Sequence, residues 1–236
     1  MKAADIRVVA VERLDLRFEP QAWPWAEANR AFIDRHFEKL REERPALWNG
    51  RVLLLHRFAI EAEVFRGAYL ETDFASFLAW RDAGFPDPSL RNCFSAGALR
   101  AADGAFLLAR MAKHTANAGK IYFPAGTPDP GDVGADGAVD LMGSMLRELQ
   151  EETGLLASEV STAPRWRAVF SGARIGLIRP LRLREDSRKL AVRLRAFIAR
   201  EKAPELEDIV VIREPADLVP EIPDFVRAYI ESEWNA

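Results

Sequence analysis

The chain is poor in the residues that build disulfide scaffolds and transition-metal sites. A single cysteine, Cys93, excludes an internal disulfide framework and a cysteine zinc site, and fits a reducing, cytoplasmic setting. The three histidines, His36, His56 and His114, are scattered, and each reads as a packing or surface group rather than a catalyst. No apolar run approaches the roughly 20 residues needed to cross a bilayer, so no membrane partner is expected. The opening Met1-Lys2-Ala3-Ala4-Asp5 leads into charged, alternating sequence rather than an apolar signal core. There is no excess of positive charge either: 33 Lys and Arg stand against 36 Asp and Glu, which argues against nucleic acid as a partner. Internal repeats and low-complexity tracts are missing. What remains is a chain of 236 residues, 49% hydrophobic, long enough for one large domain or a domain with a substantial extension.

One stretch stands out against this background. In Arg147-Glu148-Leu149-Gln150-Glu151-Glu152-Thr153-Gly154-Leu155, three carboxylates share one helix face, because positions i, i+3 and i+4 fall within roughly a 100° arc. Like charges at these spacings cost a helix a few tenths of a kcal/mol per pair, so a triple cluster suggests a cation that offsets the repulsion. Oxygen-only ligands point to a hard ion, Mg²⁺ or Mn²⁺, rather than zinc. A solvated acidic face is the simpler alternative. Against it stand Met142, Met145, Leu146 and Leu149, an adjacent apolar face that packs the helix and aims its glutamates. Gly154 can take the left-handed conformation that ends a helix. Upstream, Phe123-Pro124-Ala125-Gly126 reads as a strand end followed by a small-residue turn where backbone can approach a ligand closely.

With these residues the chain resembles a Nudix hydrolase, whose pattern is G-x5-E-x7-R-E-U-x-E-E-x-G-U with U a bulky aliphatic residue. The second half is complete from Arg147 to Leu155. The first half departs: Gly126 followed by five residues arrives at Asp132, and fourteen residues rather than seven separate Asp132 from Arg147. One alignment makes 133–139 an inserted Gly/Ala-rich loop, with Asp140 as the N-cap of the acidic helix. An ungapped alignment instead places Val139 at the first glutamate and leaves that carboxylate absent.

The resemblance implies an α/β/α sandwich with a mixed sheet, and Mg²⁺- or Mn²⁺-dependent cleavage of a nucleoside diphosphate linked to another moiety. It makes Glu148, Glu151 and Glu152 metal ligands, with Glu148 or Glu151 the base, and the Ala125 carbonyl a further ligand. Arg147 would orient the glutamates through a salt bridge. A late carboxylate, Glu205, Glu207 or Asp208, would complete the shell. Residues that bind the rest of the substrate stay unassigned; the small-molecule nucleotide is the expected partner, and a homodimer is compatible with the sequence.

The fold pattern is read along the chain. Strands are expected in 6–18, as an antiparallel pair at 51–58 and 60–71, at 93–99 and 105–111 around an Asp103-Gly104 turn, and at 166–170, 174–183 and 209–212. Helices are expected at 24–43, from the Asp73 cap to about Ala83, at 187–202 and at 223–234. Pro86 and Pro88 mark a linker, so residues 1–91 form an α+β extension packed on a Nudix domain at 92–236. Leu47-Trp48-Asn49-Gly50, the strand pair, Tyr69, Phe77 and the late acidic Pro204–Asp208 segment are similar in order to UDP-sugar-cleaving Nudix proteins with an N-terminal lobe. Coenzyme A or dinucleotide diphosphatases, and a catalytically weak Nudix-fold binding module, are the alternatives. Trp48 and Trp80 are candidates for base stacking, with core packing the simpler role. Arg110, Lys113 and Lys120 flank the signature turn as phosphate-contact candidates or solvated strand ends.

Overall fold

A computed structural model describes residues 6–45 and 47–235; the reading of Met1–Asp5 lies outside them. In chain order the elements are β1 (Arg7–Val11), β2 (Arg13–Phe18), α1 (Pro24–Ala28), α2 (Arg30–Glu43), β3 (Arg51–Glu61), β4 (Val64–Asp73) and α3 (Phe74–Asp82). There follow β5 (Asn92–Arg100), β6 (Phe106–Met111), β7 (Ile121–Tyr122), β8 (Ala125–Gly126) and α4 (Leu141–Thr153). The last third holds β9 (Ser161–Thr162), β10 (Trp166–Ser171), β11 (Arg174–Arg182), α5 (Ser187–Ile198), β12 (Leu206–Ile212) and α6 (Asp224–Trp234).

Two sheets organise the chain. The larger has the order β1-β10-β11-β5-β6-β12, with the short β7, β8 and β9 pairing to β6, β5 and β11. Its central pair β11–β5 is parallel, running in register from Arg174↔Asn92 to Arg182↔Arg100, and its other pairings are antiparallel. Helices α4 and α5 cover one face and α6 the other, making an α/β/α sandwich with a mixed sheet. Leu99, Leu107, Met145, Leu149 and Leu194 pack on the first face, and Ala98, Phe106, Leu108 and Tyr229 on the second, which is the alternation expected of strands buried on both sides.

The smaller sheet, β2-β4-β3, is a layer between two cores. Successive residues of β3 point to opposite faces, so Val52 and Leu54 join Phe37 and Trp80 under α2 and α3, while Leu53 and Leu55 join the core of the main sheet. The division expected at residue 91 is therefore crossed: β1 hydrogen-bonds to β10 and belongs to the main sheet. The helix expected over 24–43 is two helices, broken at Asn29, whose amide nitrogen side chain donates to the Trp25 carbonyl. The hairpin turn lies at Ala62-Glu63, both with positive φ, so β3 runs three residues past its expected end. Asp73 caps α3 through the Ser76 N–H at 2.8 Å, as expected.

Candidate active site

Helix α4 is held at both ends and along one face. The Asp140 carboxylate accepts the Gly143 N–H at 2.9 Å, giving the N-cap expected from sequence. Gly154, with φ of 72°, closes the other end and donates to the Gln150 carbonyl. Leu141, Met145 and Leu149 are buried in the main core. Fixed in this way, Glu148, Glu151 and Glu152 line a cleft of about 150 Å³ together with Glu201, Ala203, Pro204 and Glu205. Five glutamates thus meet in a cleft whose lining includes no basic side chain.

The strand beneath is equally specific. In β8, Gly126 lies opposite Ser95 of β5, and a Cβ at Gly126 would stand 2.5 Å from Glu148 Oε1, so any side chain would displace that carboxylate. The Gly97 N–H bonds the Pro124 carbonyl at 3.1 Å, which makes Ala96/Ala125 a non-hydrogen-bonded pair. The Ala125 N–H and C=O therefore face away from β5, and the N–H is directed at Glu152. Its carbonyl, extended to the same side, is free of the ladder.

The electrostatics follow from this crowding. Burial, then the charge of Glu151, raises Glu148 to about 7; Arg147 opposes the rise, and Glu205 and Asp132 add to it. Glu152 is pushed well above the usual carboxylate range by burial first and by Glu148 and Glu205 next, with the Ala125 amide pulling the other way. Its Oε2 is buried without a hydrogen-bond partner. Carboxylates so placed must bind protons or a cation.

The altered first half of the motif is built differently. Asp132 is 5% exposed and ion-pairs with Arg147 at 2.9 Å. Its Oδ2 accepts the Asp129 N–H, while Asp129 accepts the Gly131 N–H, closing a tight turn. Of the two acids in this turn, Asp132 is the one that faces Arg147. The loop 133–139 closes on itself through a Val133↔Val139 bridge, and it docks on β2: the Phe18 N–H bonds the Gly137 carbonyl and the Val139 N–H bonds the Leu16 carbonyl. The salt bridge expected between Arg147 and the glutamates goes instead to Asp132, and Arg147 acts on Glu148 only through its charge.

The other candidates separate clearly. Of the late carboxylates, Glu205 lines the cleft, whereas Asp208 is paired with Arg195 at 2.6 Å and Glu207 is exposed outside it. Trp80 is completely buried in the core beneath α2 and α3, so it stacks on no base; Trp48 is 62% exposed. His36 pairs with Asp82 at 2.9 Å, His56 lies 4.0 Å from Glu19, and His114 is exposed. Arg110 donates to the Gly119 carbonyl, and Lys113 and Lys120 are exposed. Glu201 was not marked by sequence reasoning: the helix expected over 187–202 stops at Ile198, which leaves Glu201 in the loop that enters the cleft.

Among the described residues no group of three or more His, Cys, Asp or Glu side chains is placed so that it could hold a metal ion as the side chains stand. The donor set nonetheless fits a hard divalent cation. It is all oxygen, its charges repel one another, and Glu152 Oε2 lacks any other partner.

No family model and no curated protein matches the chain. Among solved structures, a Nudix hydrolase from M. Smegmatis, RenU, is similar over 61% of this chain and 82% of its own, with 15% identity and a TM-score of 0.38. The MutT protein from Methanosarcina mazei Go1 is similar over 61% of this chain and 95% of its own, with 17% identity and a TM-score of 0.36.

Proposed function

We propose that this chain is a Nudix-type hydrolase that cleaves the diphosphate of a nucleoside diphosphate linked to another moiety, with Mg²⁺ or Mn²⁺ as cofactor. The observation that carries the reading is the cleft of five glutamates with a buried, unpartnered Glu152 oxygen, set on a helix that reads R-E-L-Q-E-E-T-G-L. Glu148, Glu152 and Glu151, joined by the Ala125 carbonyl and Glu205, are the residues that would hold the cation. When bound, the cation neutralises phosphate oxygens and stabilises the charge that develops on the leaving phosphate.

The remaining work falls to the chain itself. A phosphoanhydride is shielded from water by its own negative charge, so the nucleophile has to be positioned and its proton accepted. Glu148 or Glu151 is the candidate base, since both carboxylates line the cleft beside the place the cation would fill. Arg147, fixed by Asp132, sets the charge next to Glu148.

The test is a panel of UDP-sugars, ADP-ribose, NADH, coenzyme A and dinucleoside polyphosphates, assayed with Mg²⁺ or Mn²⁺ and again with EDTA. Cation-dependent release of two phosphate-bearing products from at least one of them is expected. Saturable Mn²⁺ binding with no turnover anywhere in the panel would replace the hydrolase with a binding module.

A further inference from the structure

Ser95 is a buried hydroxyl in β5 to which the hydrolase reading gives no role. The residue is 0% exposed, and its Oγ has no hydrogen-bond partner. The strand alternates: Ala96 and Ala98 pack on the α6 side, Cys93 and Leu99 on the α4 side, so Ser95 points toward α4. Gly97 marks the same side, since a Cβ there would stand 3.6 Å from Met145 Sδ. A hydroxyl shut away from water costs free energy unless it finds a hydrogen-bond partner.

The neighbouring strands narrow what that partner can be. On β11 the residue level with Ser95 is Leu177, apolar and completely buried. Along β5 the neighbours on the same face are Cys93 and Gly97, and Gly97 is covered by Leu181 and Met145. On β8 the residue opposite is Gly126, which has no side chain. The space above Gly126 is taken by Glu148: its Oε1 lies 2.5 Å, and its carboxyl carbon 2.6 Å, from where a Gly126 Cβ would be. Cβ positions directly opposite each other in an antiparallel pair are about 5 Å apart. The Glu148 carboxyl therefore replaces the missing Gly126 side chain as the cross-strand neighbour of Ser95. The last torsion of a glutamate is soft, so a turn of the carboxyl brings an oxygen within reach of the Ser95 hydroxyl.

We propose that Ser95 is a positioning residue for Glu148: its hydroxyl donates to one carboxylate oxygen across Gly126 and so fixes the direction in which the other oxygen faces the cleft. That the fixed oxygen serves a cation and a diphosphate rests on the hydrolase reading above; that Ser95 bonds Glu148 does not. Gly126 and Ser95 then act as a pair. The glycine leaves room for the carboxylate to reach the sheet, and the serine supplies a donor where it arrives. A hydrogen bond to a charged acceptor is about twice as strong as one between neutral groups, so the contact favours the form of Glu148 that can hold a cation.

The experiment compares the full chain as wild type, Ser95→Ala and Ser95→Thr. Mn²⁺ affinity is measured by calorimetry, the melting temperature in EDTA, and kcat and KM on any substrate the panel yields. Ser95→Ala should bind Mn²⁺ about 10-fold more weakly, within the roughly 10–100-fold range for groups that orient metal ligands, and lower kcat with little change in KM. Its metal-free melting temperature should stay level or rise, because a buried hydroxyl without a partner has gone. Ser95→Thr keeps the donor but adds a methyl to a packed site, so it should bind Mn²⁺ better than Ser95→Ala while melting below the wild type. Packing alone would make the threonine variant the worse of the two in both respects. Wild-type Mn²⁺ affinity in Ser95→Ala, or no better binding in Ser95→Thr than in Ser95→Ala, overturns the proposal. A crystal structure of the metal-free wild type at pH 8 tests the bond itself. Ser95 Oγ should lie about 2.7 Å from a Glu148 carboxylate oxygen, and a separation beyond about 3.5 Å also overturns it. A chain that shows this bond yet turns nothing over sinks the hydrolase reading alone. Turnover with kcat and Mn²⁺ affinity unchanged in Ser95→Ala sinks the positioning role alone.

Discussion

Asp132 and Glu152 are both buried acids belonging to one motif, and they are treated in opposite ways. Asp132 faces a cation: its Oδ1 lacks a hydrogen bond of good geometry but ion-pairs with Arg147 at 2.9 Å, and its Oδ2 is tied into a turn. Glu152 sits among Glu148, Glu151 and Glu205 with one oxygen unpartnered and its neutral form favoured. The segment around Asp132 is held by a cation of the chain itself, and the segment at Glu152 is left without one. An unsatisfied buried acid costs stability, and a fold tolerates that where a ligand supplies the missing charge. The loop 133–139 pairs with β2, and so ties the smaller sheet to the start of α4.

The sharpest way to break this contrast is Glu152→Gln. Cation-dependent hydrolysis should fall more than about 100-fold, beyond the 10–100-fold typical of groups that only support metal ligands, while the melting temperature of the metal-free protein stays level or rises. Near-wild-type turnover would show that the segment at Glu152 is not the reacting one. Next comes Gly126→Val. Its Cβ would occupy the space of the Glu148 carboxylate, and a displacement on the order of 1 Å can cost ~100-fold in rate. We expect a 10–100-fold loss with an unchanged circular dichroism spectrum; normal kinetics in that variant would mean that the position of Glu148 is irrelevant.

The segment around Asp132 should respond in stability instead. Asp132→Asn leaves Arg147 without its partner and should destabilise the protein by ~1–3 kcal/mol, less than a fully buried pair because Arg147 is 41% exposed. Denaturant melts measure this, and activity at temperatures where the variant stays folded should fall less than in Glu152→Gln. The reverse pattern, intact stability with lost activity, would move Asp132 into the reacting set.

A pH titration sharpens the contrast further. Glu148 is raised in the folded state to about 7 from an ordinary value of 4.5, so the metal-free fold is favoured below the lower value and loses stability as pH rises through the upper one. Chemical denaturation of metal-free protein from pH 4.5 to 8 should show that decline, with Glu148→Gln flattening part of it and Mg²⁺ restoring the wild type at pH 8. A wild-type profile that Mg²⁺ leaves unchanged at pH 8 would contradict the crowded-acid account. Asp73 carries the smallest and opposite effect. Burial alone would raise it, but Arg30 and the Ser76 donors outweigh burial and hold it low. Asp73→Ala should cost ~1 kcal/mol at neutral pH as a lost cap, and the difference from wild type should shrink as pH falls below 4. A difference that persists in acid would rule out the charged cap as its source.

Local chemistry was readable wherever neighbours in sequence carry the signal. The α4 glutamates, the Asp140 and Asp73 caps, the Gly154 stop and the Asp103-Gly104 turn each depend on residues within a turn or two. The Ala62-Glu63 turn was missed because neither residue advertises positive φ, and the break at Asn29 was missed because the apolar spacing of 24–43 continues through it. Glu201 belongs to no motif, and it lines the cleft because the loop after α5 brings it there.

Taken alone, the sequence determined that one helix would present three acids on one face, because helical periodicity converts spacing directly into direction. Tertiary structure decided which acids stay unpaired, that Arg147 serves Asp132, that Glu205 rather than Asp208 joins the cleft, and that β1 enters the main sheet. The reason is physical. Pairing and burial depend on what lies across space, and a carboxylate is neutralised or left crowded according to whether a guanidinium or another carboxylate faces it.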